Sequence, residues 1–381
     1  MRKNRIEKYY LEISAAFLGL IILFALLNIA SIIGVKTYNY INKYHYGDEN
    51  YAKAYPDKSI GEIHGILEET WPIKYSYEPY TQFKHKERTG IYVNVDKRGF
   101  RPVGNQCAMP LSDKNFNIFM FGGSTTFGVG VADDETISSR LQNKLNQPFF
   151  PKTTKVCVFN FGRAHYFSTQ ERIIFEKLML ENNIPSMVIF FDGLNDFFYA
   201  SADPKYTNRF IDYVEKEGVM SFEDFLGRFP FFKVINFILN TISEKNKDSR
   251  YKPEVISAAV ERYKMNTRLV SALAADFNIS TLFVVQPVPS YNYNLSYDVF
   301  SSSVNGLGFI NAKYGYELLK KSKLSKNHLW LGDIQINKTE NLYVDSAHYT
   351  TKFSDEIADE IKEAVMEDKR FINYWIENNE E

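Results

Sequence analysis

This chain of 381 residues has few cysteines and almost no net charge, and each of these features excludes a class of protein. Two cysteines are too few for a fold framed by disulfide bonds or for a zinc cluster built from thiolates. The 45 Lys and Arg residues are matched by 46 Asp and Glu residues, so no basic surplus exists to bind nucleic acid phosphates. The histidines lack the His-x-x-x-His spacing of metal ligands. We therefore expect neither a metal site nor a nucleic acid partner.

Low-complexity tracts and internal repeats are also missing, and 45% of the residues are hydrophobic, as in a folded protein. One run, Ile13 to Val35, carries no charge. As a helix that rises 1.5 Å per residue it would be roughly 35 Å long, enough to cross a hydrocarbon core of about 30 Å. A cleaved signal peptide is the alternative, but its apolar region usually runs about 7–15 residues. We predict an uncleaved membrane-spanning helix at residues 13–35.

Basic residues flank this run mainly on its N-terminal side, at Arg2, Lys3, Arg5 and Lys8. The positive-inside rule therefore places residues 1–12 in the cytoplasm and the chain from residue 36 onward in a periplasmic or extracellular space. If that space is oxidising, Cys107 and Cys157 could form a disulfide. The apolar run around Cys157 is equally typical of a buried free thiol, so the sequence leaves both readings open.

The external part divides into a lead-in region and a region of alternating strands and helices. Residues 36–113 are rich in Tyr, Lys and Glu and predict a stalk followed by an irregular segment, with a strand at Ile91–Val95. From residue 114 onward, the alternation predicts a parallel sheet covered by helices on both faces. The predicted strands are Phe116–Phe121, Lys155–Phe161, Met187–Phe191 and Ser280–Gln286. The predicted helices are Thr136–Leu145, Ser168–Asn182 with a capping box, Pro253–Phe277 and a last one with Ser354 as N-cap.

An insertion at about residues 197–250 interrupts this alternation with an apolar, aromatic stretch. We interpret it as a helical cap that buries its aromatic side chains against the sheet. Roofing of the active site, binding of an acyl chain and contact with the membrane surface are the alternatives.

Polar residues follow the predicted strands, where the carboxyl edge of a parallel sheet gathers reactive groups. The first strand ends in Gly122-Gly123-Ser124, and two glycines permit a sharp turn that exposes the serine hydroxyl. The second strand is followed by Gly162 and the third by Asn195. Near the C-terminus, Asp345-Ser346-Ala347-His348 precedes the last helix.

In this order the motifs resemble those of the SGNH (GDSL-like) hydrolase superfamily, over about residues 116–365. The resemblance implies a flavodoxin-like three-layer α/β/α sandwich with a parallel sheet. Val95–Arg101 is similar to the lead-in of membrane-anchored members. Gly123 stands where the Gly-Asp-Ser-Leu signature has aspartate, which leaves the subfamily open. The residues that match the block I serine, the block II glycine, the asparagine of Gly-x-Asn-Asp and the final Asp-x-x-His are Ser124, Gly162, Asn195, Asp345 and His348.

These residue types fit acyl transfer to and from a serine. His348 would take the proton of Ser124, and Asp345 would accept the other imidazole N–H and fix the tautomer. The backbone N–H groups of Ser124 and Gly162 and the side-chain amide of Asn195 would form an oxyanion hole. No cofactor is needed for this mechanism.

Two further residues are predicted to bind substrate. His165 follows Gly162 closely and would line the pocket, although a structural or solvated histidine is the alternative. Arg101 would contact an anionic or sugar group, and a structural ion pair is equally consistent with the sequence.

We therefore predict a membrane-anchored serine esterase that removes acyl groups, such as acetyl, from envelope or secreted glycans. The glycan substrate follows by analogy with the family. One alternative is an O-acyltransferase that uses the same triad to pass the acyl group to a glycan hydroxyl. Another is a catalytically silent glycan-binding or assembly protein, against which the intact set of motif residues argues.

Overall fold

The computed structural model describes residues 2–42, 44–146, 155–215, 222–244 and 252–379. The chain forms two compact units: residues 1–47 with 208–249, and residues 48–207 with 250–381, the α/β unit. The strands are β1 (Tyr75–Glu78), β2 (Gln82–His85), β3 (Phe116–Gly122), β4 (Val156–Asn160), β5 (Met187–Asp192), β6 (Ser280–Val285) and β7 (His328–Trp330). The helices are α1 (Arg2–Ile41), α2 (Asp48–Ala54), α3 (Ile60–Thr70), α4 (Ser124–Phe127), α5 (Ile137–Leu145), α6 (Ser168–Leu180), α7 (Leu194–Phe198), α8 (Thr207–Glu215), α9 (Phe222–Leu226), α10 (Pro230–Glu244), α11 (Pro253–Asp276), α12 (Leu307–Lys321), α13 (Thr351–Met366) and α14 (Lys369–Asn379).

A parallel sheet of five strands in the order β4-β3-β5-β6-β7 forms the centre of the α/β unit. Numbered from its first strand along the chain, this order is 2-1-3-4-5, the doubly wound arrangement of flavodoxin-like folds. Every residue of β3, β4 and β5 is buried, which explains why these strands read as continuous hydrophobic runs. The predicted fold class is confirmed.

Helices cover both faces of the sheet. On one face, α5 and α13 contribute Leu141 and Ile357 to a core shared with Ile118 and Val158 of the sheet. On the other face, α6 and α11 contribute side chains such as Phe175 and Val270 to a second core. The layers are therefore helix, sheet and helix, and the carboxyl edges of β3 and β5 lead directly into the short helices α4 and α7.

The lead-in from residue 48 onward folds as part of the α/β unit. Its β1 and β2 form an antiparallel hairpin. The strand predicted at Ile91–Val95 is wrong, and this segment makes only an isolated bridge between Val95 and Arg88. The reason is a side-chain contact, because the carboxylate of Glu69 accepts the backbone N–H groups of residues 91, 92 and 93 at 2.8–3.0 Å. A side chain thus takes the donors that a neighbouring strand would have used.

Two predicted helix starts are also corrected. The last long helix, α13, is capped by Thr350, whose hydroxyl accepts the N–H of Phe353 at 3.2 Å, while Ser354 lies inside the first turn. Ser168 is the first residue of α6 and does not cap it. Its hydroxyl donates to the buried carboxylate of Asp196 at 2.6 Å, so a tertiary contact replaces the expected capping box.

A disulfide joins Cys107 to Cys157, with 5.8 Å between their Cα atoms. It ties the lead-in to β4 at a separation of 50 residues along the chain. Of the two readings that the sequence left open, the structure has the disulfide. Such bonds persist mainly in oxidising compartments outside the cytoplasm.

The first unit contains α1, a helix of 40 residues whose segment Ile6–Asn39 is long and apolar enough to cross a membrane. The insertion contributes α9 and α10 to this unit, and residues 216–221 and 245–251 of the insertion lie outside the described residues. The rings of Phe229 and Phe232 contact Phe24 of α1, at centroid distances of 5.1 and 6.3 Å. Phe222 is 73% exposed. Within this unit, Phe229 and Phe232 thus pack against α1, and the helical cap over the sheet stays a prediction.

Candidate active site

Ser124 is the first residue of α4 and follows Gly122, the last residue of β3, and Gly123, the N-cap residue of α4. The turn lies tightly against the side chain of Asn195 at the carboxyl end of β5. A Cβ atom on Gly123 would come within 2.4 Å of Asn195 Nδ2 and 3.2 Å of the Tyr166 carbonyl oxygen. Because no side chain fits there, the glycine allows the serine turn and the asparagine amide to meet.

Asp345 and His348 form a close pair in the segment before α13. The two carboxylate oxygens of Asp345 lie 2.7 and 2.8 Å from His348 Nδ1. The backbone N–H groups of Ala347 and His348 also donate to Asp345, at 2.9 and 3.0 Å. Burial raises the pKa of Asp345, but the attraction and hydrogen bond of His348 and the two backbone bonds outweigh it and hold the pKa below its usual value. Asp345 is therefore ionised at neutral pH and holds the hydrogen on His348 Nδ1.

The other ring nitrogen of His348, Nε2, is buried and makes no hydrogen bond within the described part of the chain. Its lone pair is thus available to a proton donor. The bond between Ser124 and His348 is not formed in this structure, and catalytic hydrogen bonds often close only when substrate binds.

The loop after α4 brings the serine and histidine segments together. A Cβ on Gly130 would lie 2.4 Å from Val344 Cγ2, so the loop packs directly beside the residue that precedes Asp345. Tyr55 fixes the same loop, because its hydroxyl donates to the Gly130 carbonyl oxygen at 2.7 Å. Burial, reinforced by the charges of Asp345 and Glu135, raises the pKa of Tyr55 well above its usual value and keeps this donor protonated.

The oxyanion role predicted for Gly162 does not fit the geometry. Its backbone N–H donates to the side chain of Asn160 at 2.9 Å and is not available to substrate. The N–H groups of Arg163, Ala164 and Tyr166 are also engaged, with Gly122, His85 and Arg163 as their acceptors. Of this loop, the backbone N–H of His165 has no acceptor among the described residues. His165 has a φ of +69°, which is a left-handed backbone conformation. The sequence does not predict it, because glycine is the residue that usually adopts this conformation.

Asn195 is held in place by a hydrogen bond from its amide to the Tyr166 carbonyl oxygen, at 2.7 Å. This bond uses one of the two amide hydrogens and leaves the other for a ligand. The structure therefore gathers Ser124, Asn195 and the His165 main chain around one turn.

Arg101 does not reach a pocket, so its predicted contact with substrate is wrong. The side chain is fully buried, and Nε donates to Asp133 at 2.7 Å. The guanidinium also donates to the carbonyl oxygens of Phe127 at 3.0 Å and Val131 at 2.7 Å. Arg101 thus stabilises the loop after α4. Of the two alternatives, the structure shows the structural ion pair.

The imidazole of His165 lies in a polar and aromatic cluster that sequence reasoning missed. Lys205 Nζ lies 2.6 Å from Nε2, and the Tyr199 hydroxyl lies 2.9 Å from Nδ1. Burial, with the charges of Lys205 and His348, lowers the pKa of His165 to about 4. The neutral ring accepts a hydrogen bond from the Lys205 ammonium at Nε2, and its Nδ1–H donates a hydrogen bond to the Tyr199 hydroxyl. Lys205 also lies over the ring of Tyr75, 5.6 Å from its centroid.

Three buried carboxyl groups, those of Glu171, Asp192 and Asp196, lie beneath the turn that carries Asn195. Burial, opposed by a hydrogen bond from Glu171 and reinforced by the charge of Asp196, raises the pKa of Asp192 to about 8. Burial and the charge of Asp192 raise the pKa of Glu171 well above its usual value. No N–H or O–H group of another described residue reaches the Glu171 oxygens. We infer that this buried pair of carboxyl groups retains its protons at neutral pH.

The retained protons make the α/β unit less stable at alkaline pH. The folded pKa of Asp192 lies above its unfolded value, so the folded state holds a proton that the unfolded state has released. Stability therefore falls as the pH rises toward and through about 8. We expect Glu171→Gln, whose amide can still donate to Asp192, to flatten the decline of the melting temperature between neutral and alkaline pH. Glu176→Gln, at a partly exposed ion pair, is the matched control, and an unchanged slope in Glu171→Gln would contradict the retained proton on Asp192.

Comparisons with known proteins identify no family directly, because no family model and no curated protein matches the chain. Similar solved structures include a lipase from a goat rumen metagenome, 11% identical, with a TM-score of 0.39 over 65% of this chain and 97% of that one. An acetyl xylan esterase is 15% identical, with a TM-score of 0.38 over 65% and 99%. A two-domain esterase active on acetylated mannans is 12% identical, with a TM-score of 0.36 over 70% and 50%. Identities and TM-scores this low do not establish the function of this chain. The function has to be argued from the geometry of the site.

Proposed function

We propose that this chain is a serine ester hydrolase of the SGNH type. The observation that carries the proposal is the Asp345–His348 pair, which fixes the imidazole with its Nε2 lone pair unengaged. The glycine turn that presents Ser124 beside Asn195 supports it. A serine hydroxyl is a weak nucleophile until such a base takes its proton.

The proposed reaction proceeds through an acyl-enzyme. Ser124 Oγ attacks the ester carbonyl carbon while its proton passes to His348 Nε2, and Asp345 stabilises the imidazolium that forms. The same proton then passes to the departing alcohol oxygen as its bond to the acyl carbon breaks. In the second half, His348 takes a proton from water, the hydroxide oxygen bonds to the acyl carbon, and Ser124 leaves with the proton that His348 returns.

The developing oxyanion is bound by three donors in this proposal. They are the backbone N–H of Ser124 at the start of α4, the free amide hydrogen of Asn195, and the backbone N–H of His165, which takes the place first expected for Gly162. Donors fixed in advance at this position stabilise the transition state more than the ground state.

Asn195→Ala tests this part of the mechanism. We expect kcat to fall by about 10²–10³, as is typical when one oxyanion donor is removed, with a smaller change in KM. Because Asn195 also binds the Tyr166 carbonyl, thermal unfolding of the variant serves as the control for a general loss of structure. A rate within a fewfold of wild type in a stable variant would contradict the role.

We further propose that the enzyme is anchored by residues 13–35, with its N-terminus in the cytoplasm and the α/β unit in a periplasmic or extracellular space. The charge-free length of the run and the basic N-terminal flank support the anchor and its orientation. The disulfide supports an oxidising surrounding. Acyl groups on envelope or secreted glycans are the substrates that such a location offers.

The function is tested on the full chain in detergent. A fluorophosphonate probe is expected to label the protein at Ser124, located by mass spectrometry of the labelled peptide, and p-nitrophenyl acetate is expected to be hydrolysed. Product analysis with an acetylated oligosaccharide then identifies the acceptor, since hydrolysis gives free acetate and transfer leaves the acetyl group on a second glycan. A folded protein with neither labelling nor turnover would contradict the proposal in favour of a silent binding protein.

A further inference from the structure

Helix α10 begins beside an amide inside the apolar stretch of α1. The side chain of Asn28 donates to the Phe24 carbonyl oxygen at 2.8 Å, and its own oxygen accepts the backbone N–H of Phe231 at 3.2 Å. Phe231 is the second residue of α10, where a backbone N–H has no carbonyl partner within its own helix. In hydrocarbon, either group would be costly alone, so this bond satisfies both.

The two helices pack along their apolar sides and run in the same direction. A groove of about 730 Å³ between them is lined by Leu27, Ala30 and Gly34 of α1 and by Val234 and Ile238 of α10. On α1 the lining residues lie between residues 27 and 39, at and beyond the level of Asn28, and on α10 they lie between residues 231 and 238. Helix α10 therefore starts at the level of Asn28 and follows α1 toward its C-terminal end.

The start of α10 lies at membrane depth if α1 spans the bilayer. Asn28 precedes Val35, the end of the predicted span, by seven residues, which is roughly 10 Å along a helix. Side chains of α10 such as Ile238 and Leu239 are 51% and 57% exposed. In water this apolar surface would be unfavourable, whereas against acyl chains it carries no such cost.

The turn that leads into α10 is suited to the same environment. The backbone N–H groups of Gly227, Arg228 and Phe229 donate to carbonyl oxygens of α9, at 2.8, 3.2 and 3.0 Å. Pro230 has no N–H to satisfy. Chain reversals in hydrocarbon require this kind of internal pairing. The charged ends of Arg228 and Lys233 can reach the headgroups on their long aliphatic stems.

We propose that α10 is inserted beside α1 in the bilayer leaflet that contains the C-terminal end of α1, with its exposed apolar side in contact with phospholipid acyl chains. The inference rests on the proposed membrane anchor. It gives the insertion a role as a second membrane contact, which ends within one leaflet and does not cross.

Depth-dependent quenching in lipid tests the inference on the full chain. Both native cysteines are in the disulfide, so an introduced cysteine is the free thiol of each variant. Leu239→Cys on α10, Leu26→Cys on α1 and Leu180→Cys on the α/β unit, all exposed, are labelled with a bimane fluorophore and reconstituted into phosphatidylcholine nanodiscs. The same samples are prepared with lipid brominated along its acyl chains.

Brominated lipid is expected to quench the Leu239 adduct to the extent seen for the Leu26 adduct and to leave the Leu180 adduct unchanged. Quenching at Leu26 without quenching at Leu239 would overturn the inference and leave the anchor standing, as when a protein partner or a second copy covers α10. Absence of quenching at Leu26 would overturn the anchor and, with it, the inference.

Discussion

Ser124→Ala is expected to abolish both fluorophosphonate labelling and ester hydrolysis. The substitution removes the oxygen that forms the acyl-enzyme, and loss of the nucleophile of such a triad costs on the order of 10⁶ in kcat. Ser124 is the first residue of a short helix on a glycine turn, and alanine at this place changes no contact that the turn depends on. The folded variant should therefore keep the melting temperature of wild type.

Two matched variants sharpen this test. Ser302→Ala, at an exposed serine far along the chain, should leave labelling and hydrolysis unchanged. His348→Ala should lose hydrolysis to a similar extent, because effects within a triad are strongly non-additive. Labelling of Ser124→Ala at the wild-type level would show that another residue reacts with the probe, and the proposed nucleophile would be wrong.

Arg101→Met is expected to lower the free energy of unfolding of the α/β unit by about 3–5 kcal/mol, the usual cost of breaking a buried ion pair. Methionine keeps most of the side-chain length, but Asp133 and the carbonyl oxygens of Phe127 and Val131 lose their donor. Urea unfolding followed by tryptophan fluorescence measures this change. All three tryptophans, Trp71, Trp330 and Trp375, lie in this unit and report on it alone.

Arg98→Met provides the control, since Arg98 pairs with Asp96 at a side chain that is 42% exposed. A surface pair of this kind is expected to contribute about 1 kcal/mol or less. If Arg101 bound substrate after all, its replacement would raise KM and leave stability unchanged. That pattern would contradict the bracing role.

The sequence predicts the centre of this fold well, because strands that are buried on both faces are continuous hydrophobic runs in the sequence. The four predicted strands coincide with β3, β4, β5 and β6 to within two residues at either end. Strand β7 has only three residues, His328–Trp330, too few for a hydrophobic pattern to stand out. The failure at Ile91–Val95 has a different cause, since a distant side chain, Glu69, takes the backbone donors of an otherwise strand-like segment.

In the candidate site, the sequence predicts contacts between neighbouring side chains better than it predicts backbone hydrogen bonds. Asp345 and His348 stand three residues apart, so their pairing follows from local geometry that a sequence displays. The donors of the Gly162 loop depend in part on His85, which precedes Ala164 by 79 residues and is brought to the loop by long-range folding. The burial of Arg101 likewise depends on a loop that follows it by some thirty residues. Contacts of this range leave no periodic trace in a sequence.

The lead-in determines which part of the chain could be exchanged as one module. Phe83, Phe100 and Cys107 lie in the same core as the helices behind the sheet, and Arg101 holds the loop that follows the serine. A recombination at residue 114 would therefore separate the serine turn from the lead-in residues that stabilise it. The piece that keeps this core whole is residues 48–207 with 250–381, the α/β unit.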